Sequence, residues 1–452
     1  MLGSKIRIHC VFVLRLGIHT IVAKPPLHKD NFAKSENSNI IYTDMELSGQ
    51  YQNLDDRSRE LLDRNYRHEK KCEYTRAASE MYSSGPFLWD SAWIAGKGIA
   101  HYDPRRAAAE IDSVLDGQWR NGMVPNMRII NGTINRIAWL TKHRHAHGLG
   151  QFGNMATSSI TQPPIIADSL QTIGNRLPDD VREPYMLRNI ERTAKYHQWI
   201  YDERNLQGNG LFTIVHPWET GRDNSPELMQ EMRGVDWKTP RPVKWILEKF
   251  INGMRTDTKH VSPEQRATSE ESLLLGEAAV RLMVLNHYHG RDSQEYPYQV
   301  EEVGMTSILV RNNQKLVEMA DDYGYRLSDG LLMNMQSSRI NLEKLFDPTT
   351  GLYYSRNPHT RQPINKIPSI GSMLPLYAGS VAPERASILA KHLEPGGLFD
   401  APYGVPGVPL SAREYRKNSY WHSTWTITNG LITDGLYREG YEDLAEKIDL
   451  ST

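Results

Sequence analysis

An all-α fold is what this 452-residue sequence predicts, and three observations predict it. Segments with helical apolar spacing recur from Leu54 to the end of the chain. Strand-like alternation is confined to Leu211–Val215 and Gly351–Ser355. Proline- and glycine-rich joints separate the periodic segments, as helix connections do. Taken in order, residues 54–71 place Leu54, Leu61 and Leu62 among many charges, which reads as a solvated amphipathic helix. Asp90 is a candidate N-cap for a helix over 91–102, with Ala92, Trp93, Ala95, Ile99 and Ala100 as its apolar set. Pro104 opens a helix over 104–119, helped by the propensity of Arg105–Ala109. Pro163-Pro164 opens another to about Ile173, and 180–203 makes a long one. Further helices are expected over 266–288, 299–323, 328–346, 382–392, 424–437 and 440–448. The joints at 356–371 and 394–410 read as long loops, a type that usually carries function.

Composition narrows the function classes. Lys and Arg total 53 against 54 for Asp and Glu, a formal net charge of −1. That balance argues against a nucleic-acid coat and against a polybasic membrane binder. No run of about 20 apolar residues exists, so no membrane span is expected. Cys10 and Cys72 are too few for a disulfide framework. Ten Trp and 22 Tyr outnumber 8 Phe, which suits a polar pocket walled by amphipathic rings. The first 50 residues read as a separate extension, disordered or targeting, ahead of one domain over 51–452. Lys5, Arg7, Arg15 and Lys24 precede the first acid, Asp30, and Arg15 interrupts the apolar run that a secretory signal would need. The expected location is cytoplasmic, with organelle targeting through residues 1–30 as the alternative. The sequon Asn131-Gly132-Thr133 is too common a match to imply secretion.

Four segments join ring faces to amide, carboxylate or hydroxyl groups. They are Phe87-Leu88-Trp89-Asp90-Ser91-Ala92-Trp93, then Gly117–Asn126 around Gln118-Trp119, then Pro217-Trp218-Glu219-Thr220-Gly221-Arg222-Asp223-Asn224-Ser225-Pro226, then Ser419–Trp425 around Tyr420-Trp421. A sugar demands that pairing: its C–H faces stack on rings, and its hydroxyls need donors and acceptors in a concave wall. A single Trp-Asp pair more often packs and caps; four such segments on one helical chain point to a carbohydrate pocket.

With Thr161-Gln162-Pro163-Pro164, these segments occur in an order that resembles glycoside hydrolase family 63. The likeness covers roughly 55–448 and is strongest to the compact branch of mannosylglycerate and glucosylglycerate hydrolases. It implies an (α/α)6 barrel with the pocket at one end of a helical toroid. It also implies inverting hydrolysis of an α-linked glucosyl or mannosyl residue, with a small carbohydrate substrate and no metal or organic cofactor. Asp223 matches the family's general acid. Trp89, Asp90, Gln118, Trp119, Gln162, Trp218, Glu219, Tyr420 and Trp421 are the implied substrate-binding set, with Glu219 as a supporting acceptor. Trp218 and Pro226 are placed to keep water from Asp223 and raise its pKa, whereas Arg222 would lower it if turned toward the carboxylate.

Inverting cleavage needs a second carboxyl about 6.5–9.5 Å away to activate water. The resemblance places this base on a Glu in a loop downstream of Tyr420-Trp421. Up to Thr452 no Glu stands in a matching context, and Glu439, Glu442 and Glu446 read as solvated charges. The expectation is a base, and a closing helix, beyond Thr452; the alternatives are a sugar-binding relative without turnover and an α-glucosidase acting on oligosaccharides. His422 stands where the family usually has Arg, and a histidine does not make arginine's two-pronged contact. His143, His145 and His147 alternate along Lys142–His147, but the interleaved cations disfavour a metal.

Overall fold

The computed structural model describes residues 49–69, 72–77, 85–130, 142–143, 156–254, 261–285 and 296–452. Most of the N-terminal extension, the Asn131 sequon, His145 and His147 lie outside the described residues. Helices dominate. Helix α1 (Gly49–Asn65) ends before a hairpin of β1 (Tyr66–Glu69) and β2 (Cys72–Thr75), which corrects the helix expected through 71. The hairpin wins because it buries Cys72 and Tyr74, and because Thr75 donates N–H and Oγ1–H to the buried Glu110 at 3.0 and 2.8 Å. Helix α2 (Leu88–Trp93) continues through a π turn (Ile94–Gly98) and a 3-10 turn (Ile99–His101). Its N-cap is Phe87, so Asp90 lies inside the first turn and caps nothing, a second correction. Helix α3 (Pro104–Leu115) is capped by Asp103, whose carboxylate accepts from the Arg106 N–H.

The rest of the chain continues in helical pairs. These are α4 (Ile166–Gly174) and α5 (Asp179–Glu203), then α6 (Pro226–Gly234), α7 (Arg241–Met254) and α8 (Ser269–Leu285). Then come α9 (Val303–Asp322), α10 (Asp329–Leu342), the short α11 (Pro375–Ala378), α12 (Pro383–Leu393), α13 (Thr426–Arg438) and α14 (Glu442–Ser451). Both expected strand segments contain strands, at Thr213–Ile214 and Leu352–Tyr353, each in a two-stranded antiparallel pair. Among the described residues no helix is long and apolar enough to cross a membrane.

The contacts arrange the helices in two rings. Helix α2 packs on α4, α4 on α9, α9 on α11 and α11 on α13. The inner ring closes where Gly430 of α13 meets Trp93 of α2; a Cβ there would sit 2.7 Å from the indole. Outside, α3 backs α2, α5 backs α4 and α9, α10 backs α9, and α14 backs α13, while α7 packs on α8. The inner faces are apolar, as with Ile166, Leu170 and Ile173 of α4, each worth about 1.5–3 kcal/mol on burial. One loop, 215–225, meets the entries of four inner helices. Gly221 abuts the Trp89 indole, Thr161 donates to Glu219, Arg222 binds Glu302, and Gly371 packs on the Arg222 guanidinium. The N-terminal ends of α2, α4, α9 and α11 therefore gather at this end of the toroid.

Candidate active site

The loop at that gathered end carries Asp223, and its geometry starts from a 3-10 turn, Pro217–Thr220. His216 starts the turn by accepting the Trp218 N–H on its own ring nitrogen, 3.1 Å away. Gly221 ends it in the left-handed region at φ 67°, where a side chain would also strike the Trp89 ring at 2.7 Å. The chain then bends through Arg222 and Asp223 into α6, with Pro226 at the first helical position.

Arg222 turns away from Asp223. Its guanidinium is buried between two carboxylates, 2.9 Å from Glu227 and 2.7 Å from Glu302, and reaches Ser225 and Ser369 at 3.3 and 3.4 Å. The cation that would have lowered the acid's pKa instead braces the loop. Asp223 itself is half-buried. Burial first, and then the neighbouring Asp90 charge, push its carboxyl up to about 7, against a smaller opposing pull from Arg266. Asp90, also half-buried, is pushed up by burial to about 6. The two carboxyls act on each other electrostatically, and both are held above the usual carboxylate range.

The structure divides the other expected contacts into two sets. Asp90, Trp218, Tyr420 and Trp421 retain exposed surface, with Tyr420 at 38%. The Tyr420 ring packs against Trp425 at 4.7 Å and edge-on to Trp421 at 5.6 Å, and Trp218 lies 4.4 Å from the His216 ring. Gln162 accepts the Trp89 N–H through Oε1 at 3.4 Å, and its amide nitrogen makes no hydrogen bond among the described residues. Trp89, Gln118, Trp119 and Glu219 sit beneath the opening. Trp89 and Trp119 are buried, and Trp119 donates its indole N–H to Thr157 at 3.0 Å. The Gln118 amide donates to the carbonyls of Gly122 and Arg192. Glu219 is wholly buried. It accepts from Arg204 at 3.0 and 3.3 Å, from the Val215 N–H at 2.9 Å and from the Thr161 N–H at 3.4 Å. Its carboxylate is taken up by the scaffold, which corrects its assignment as a substrate contact.

Arg266 is a site residue the sequence reading missed. Its guanidinium lies 5.0 Å over the Tyr420 ring and acts electrostatically on Asp223. It precedes a helix start and belongs to no aromatic segment, so no sequence signal marked it. His422 is buried, accepts the Arg416 N–H at 2.9 Å, and is held near pKa 4 by burial and Arg416. Arg416 in turn reaches Glu271 on α8, tying the aromatic segment to that helix. Glu442 and Glu446 are exposed on α14, as expected, and Glu439 is half-buried at its entry. Among the described residues no cluster of His, Cys, Asp and Glu is arranged to hold a metal ion.

Comparison with known proteins identifies the family and the fold. The profile of the mannosylglycerate hydrolase MGH1-like glycoside hydrolase domain matches residues 84–452. A glycoside hydrolase family 63 mannosylglycerate hydrolase from Thermus thermophilus, solved with Tris, superposes with a TM-score of 0.76 at 28% identity, covering 88% of this chain and 90% of that one. The same enzyme has been solved with D-glycerate and with glucose. A mannosylglycerate hydrolase of Selaginella moellendorffii is 28% identical over 383 residues, 83% of this chain and 74% of the relative. A glucosylglycerate hydrolase of Mycolicibacterium hassiacum is 27% identical over 390 residues, 82% of this chain and 84% of the relative. The helical toroid expected from the sequence is the fold of these enzymes.

Proposed function

The chain belongs to the mannosylglycerate hydrolase MGH1-like family of glycoside hydrolases, and from that premise we propose that it cleaves an α-linked hexosyl-glycerate with inversion, using Asp223 as general acid. The observation that supports this most is the Asp223 carboxyl, raised to about 7 while its neighbour Arg222 is engaged elsewhere. A carboxyl that is protonated near neutrality can give its proton to a departing oxygen. Asp90 and the Gln162 amide supply acceptor and donor for sugar hydroxyls, and Trp218, Tyr420 and Trp421 supply ring faces. The leaving group departs beside the acid. Arg266 acts on that same carboxyl, so a leaving group bearing a carboxylate, as glycerate does, meets a cation there. The base that activates water is, by the family likeness, a Glu downstream of Tyr420-Trp421; Glu439, Glu442 and Glu446 are not given that role.

A substrate panel tests the reading. The protein is incubated with α-mannosylglycerate, α-glucosylglycerate and maltose, and the released sugar is followed by proton NMR. The expected result is turnover of one or both hexosyl-glycerates, with the β anomer appearing first. Turnover of maltose alone would transfer the assignment to an oligosaccharide α-glucosidase. Binding of the glycerate glycosides without turnover would make the chain a sugar-binding relative.

A further inference from the structure

A second polar cluster lies along the axis of the toroid, away from the acid pocket. Trp93 and Lys97 follow Asp90 on α2 at steps of three and four residues, so they share its inward face. Seven residues of helix place Lys97 about 10 Å further along. The π turn Ile94–Gly98 contains Lys97, and such turns recur at functional sites. Inside it, Gly96 lies so close to Ser169 of α4 that a Cβ would come within 2.7–2.8 Å of that residue. This close approach sets the Lys97 Nζ 3.0 Å from the Asp168 carboxylate.

The other inner helices contribute to the same place. Arg311 and Lys315 come from α9, Tyr377 from α11, and Asp434 and Arg438 from α13. The Tyr377 hydroxyl interacts with Asp168, Asp434, Arg311 and Arg438, and Lys315 with Asp168, Arg311 and Asp434. Four cations therefore face three carboxylates, Asp168, Asp434 and Glu318, and the Lys315 ammonium also donates to the Gln171 amide oxygen. Glu318 lies exposed at the edge and takes the Gln171 amide at 2.9 Å. The cluster also holds unmet hydrogen-bonding capacity. Tyr377 is wholly buried and its hydroxyl has no hydrogen-bond partner among the described residues. The same holds for the Trp93 indole N–H and for the Nε of Arg311 and of Arg438. The large majority of buried side-chain polar atoms are normally satisfied, and here four orphaned donors gather in one net-positive cluster, which suits an acceptor-rich occupant. Access from solvent exists, since the Lys97, Arg438 and Asp434 side chains are 28%, 24% and 28% exposed.

We propose that this axial cluster, centred on Lys315 and the Tyr377 hydroxyl, binds a small oxyanion of the phosphate class, independently of the sugar pocket. A tetrahedral oxyanion meets the surplus positive charge and presents enough lone pairs for the orphaned donors. A monocarboxylate presents two acceptor oxygens where the tetrahedral anion presents four.

The test is calorimetric titration of the full chain with inorganic phosphate at constant ionic strength, with a melting curve alongside. Wild type is expected to bind phosphate saturably, and its melting temperature to rise about 1–2 °C at tenfold excess over Kd. Lys315→Met is expected to weaken binding at least tenfold. Tyr377→Phe, which keeps the packing and removes only the hydroxyl, is expected to weaken it about fivefold. Lys344→Met, on an exposed residue outside the cluster, is expected to bind as wild type does. The proposal is overturned if wild type shows no saturable binding. It is also overturned if acetate or chloride stabilises as well as phosphate, or if Lys344→Met and Tyr377→Phe both behave like Lys315→Met.

Discussion

Two carboxylates four residues apart in one loop have opposite environments. Glu219, in the Pro217–Thr220 turn, is wholly buried and surrounded by donors from Arg204, Val215 and Thr161. Asp223, in the bend that follows, is half-buried and faces another carboxyl, and the arginine beside it is turned to Glu227 and Glu302. The first carboxylate supports the fold. The second is held in a state that costs stability, because a raised acid pKa means the folded protein resists the charge that water would accept. The loop places the cost of a reactive group beside the brace that makes it tolerable.

Of the two carboxylates, Asp223 carries the larger expected effect on activity. Asp223→Asn removes the proton donor and should lower the turnover of a hexosyl-glycerate on the order of 10²–10⁴-fold, measured as kcat. The same variant should melt higher than wild type at pH 8. The sign follows from the raised pKa: stability is lost as pH rises from the unfolded carboxyl's range through about 7, and asparagine is spared that loss. The two melting temperatures should converge toward pH 4.

At Glu219 the expected effect is the reverse. Glu219→Gln leaves the Arg204 guanidinium buried without its carboxylate and should cost about 3–5 kcal/mol in denaturant unfolding. A stability close to wild type would show that the turn does not depend on the pair. Asp90→Asn sharpens the comparison from the other side. Removing its charge removes the second cause that raises Asp223, so the alkaline limb of the kcat/KM profile should move to lower pH. An alkaline limb that stays in place would separate the two carboxyls. The smallest effect is expected at the exposed rim, where Tyr420→Ala should raise KM about twofold to tenfold with little change in kcat.

The long inner and outer helices were legible in the sequence from their length, their opening prolines and caps, and, as in α3 and α4, an apolar stripe. Three helices were not. Helix α6 starts at Asn224-Ser225-Pro226, a string that reads as a turn; α7 opens on Pro240-Arg241-Pro242, which reads as a loop; α11 is buried on every side and only four residues long. The aromatic segments stood out because their composition is local, and Asp223 stood out through the likeness of its segment to a known family. What each buried polar side chain bonds to was not. Gln118 and Glu219 look like sugar contacts until Arg192 and Arg204 arrive from the long helix α5 and its end. Arg266 reaches the site from a segment with no motif of its own.

The claim that Asp223 serves as a neutral acid is tested most directly by the pH dependence of kcat/KM for wild-type hydrolysis of the preferred hexosyl-glycerate. Activity is expected to fall above a midpoint near pH 7, with that limb absent from the residual activity of Asp223→Asn. A limb at the same pH in both proteins would assign it to another group and contradict the role given to Asp223.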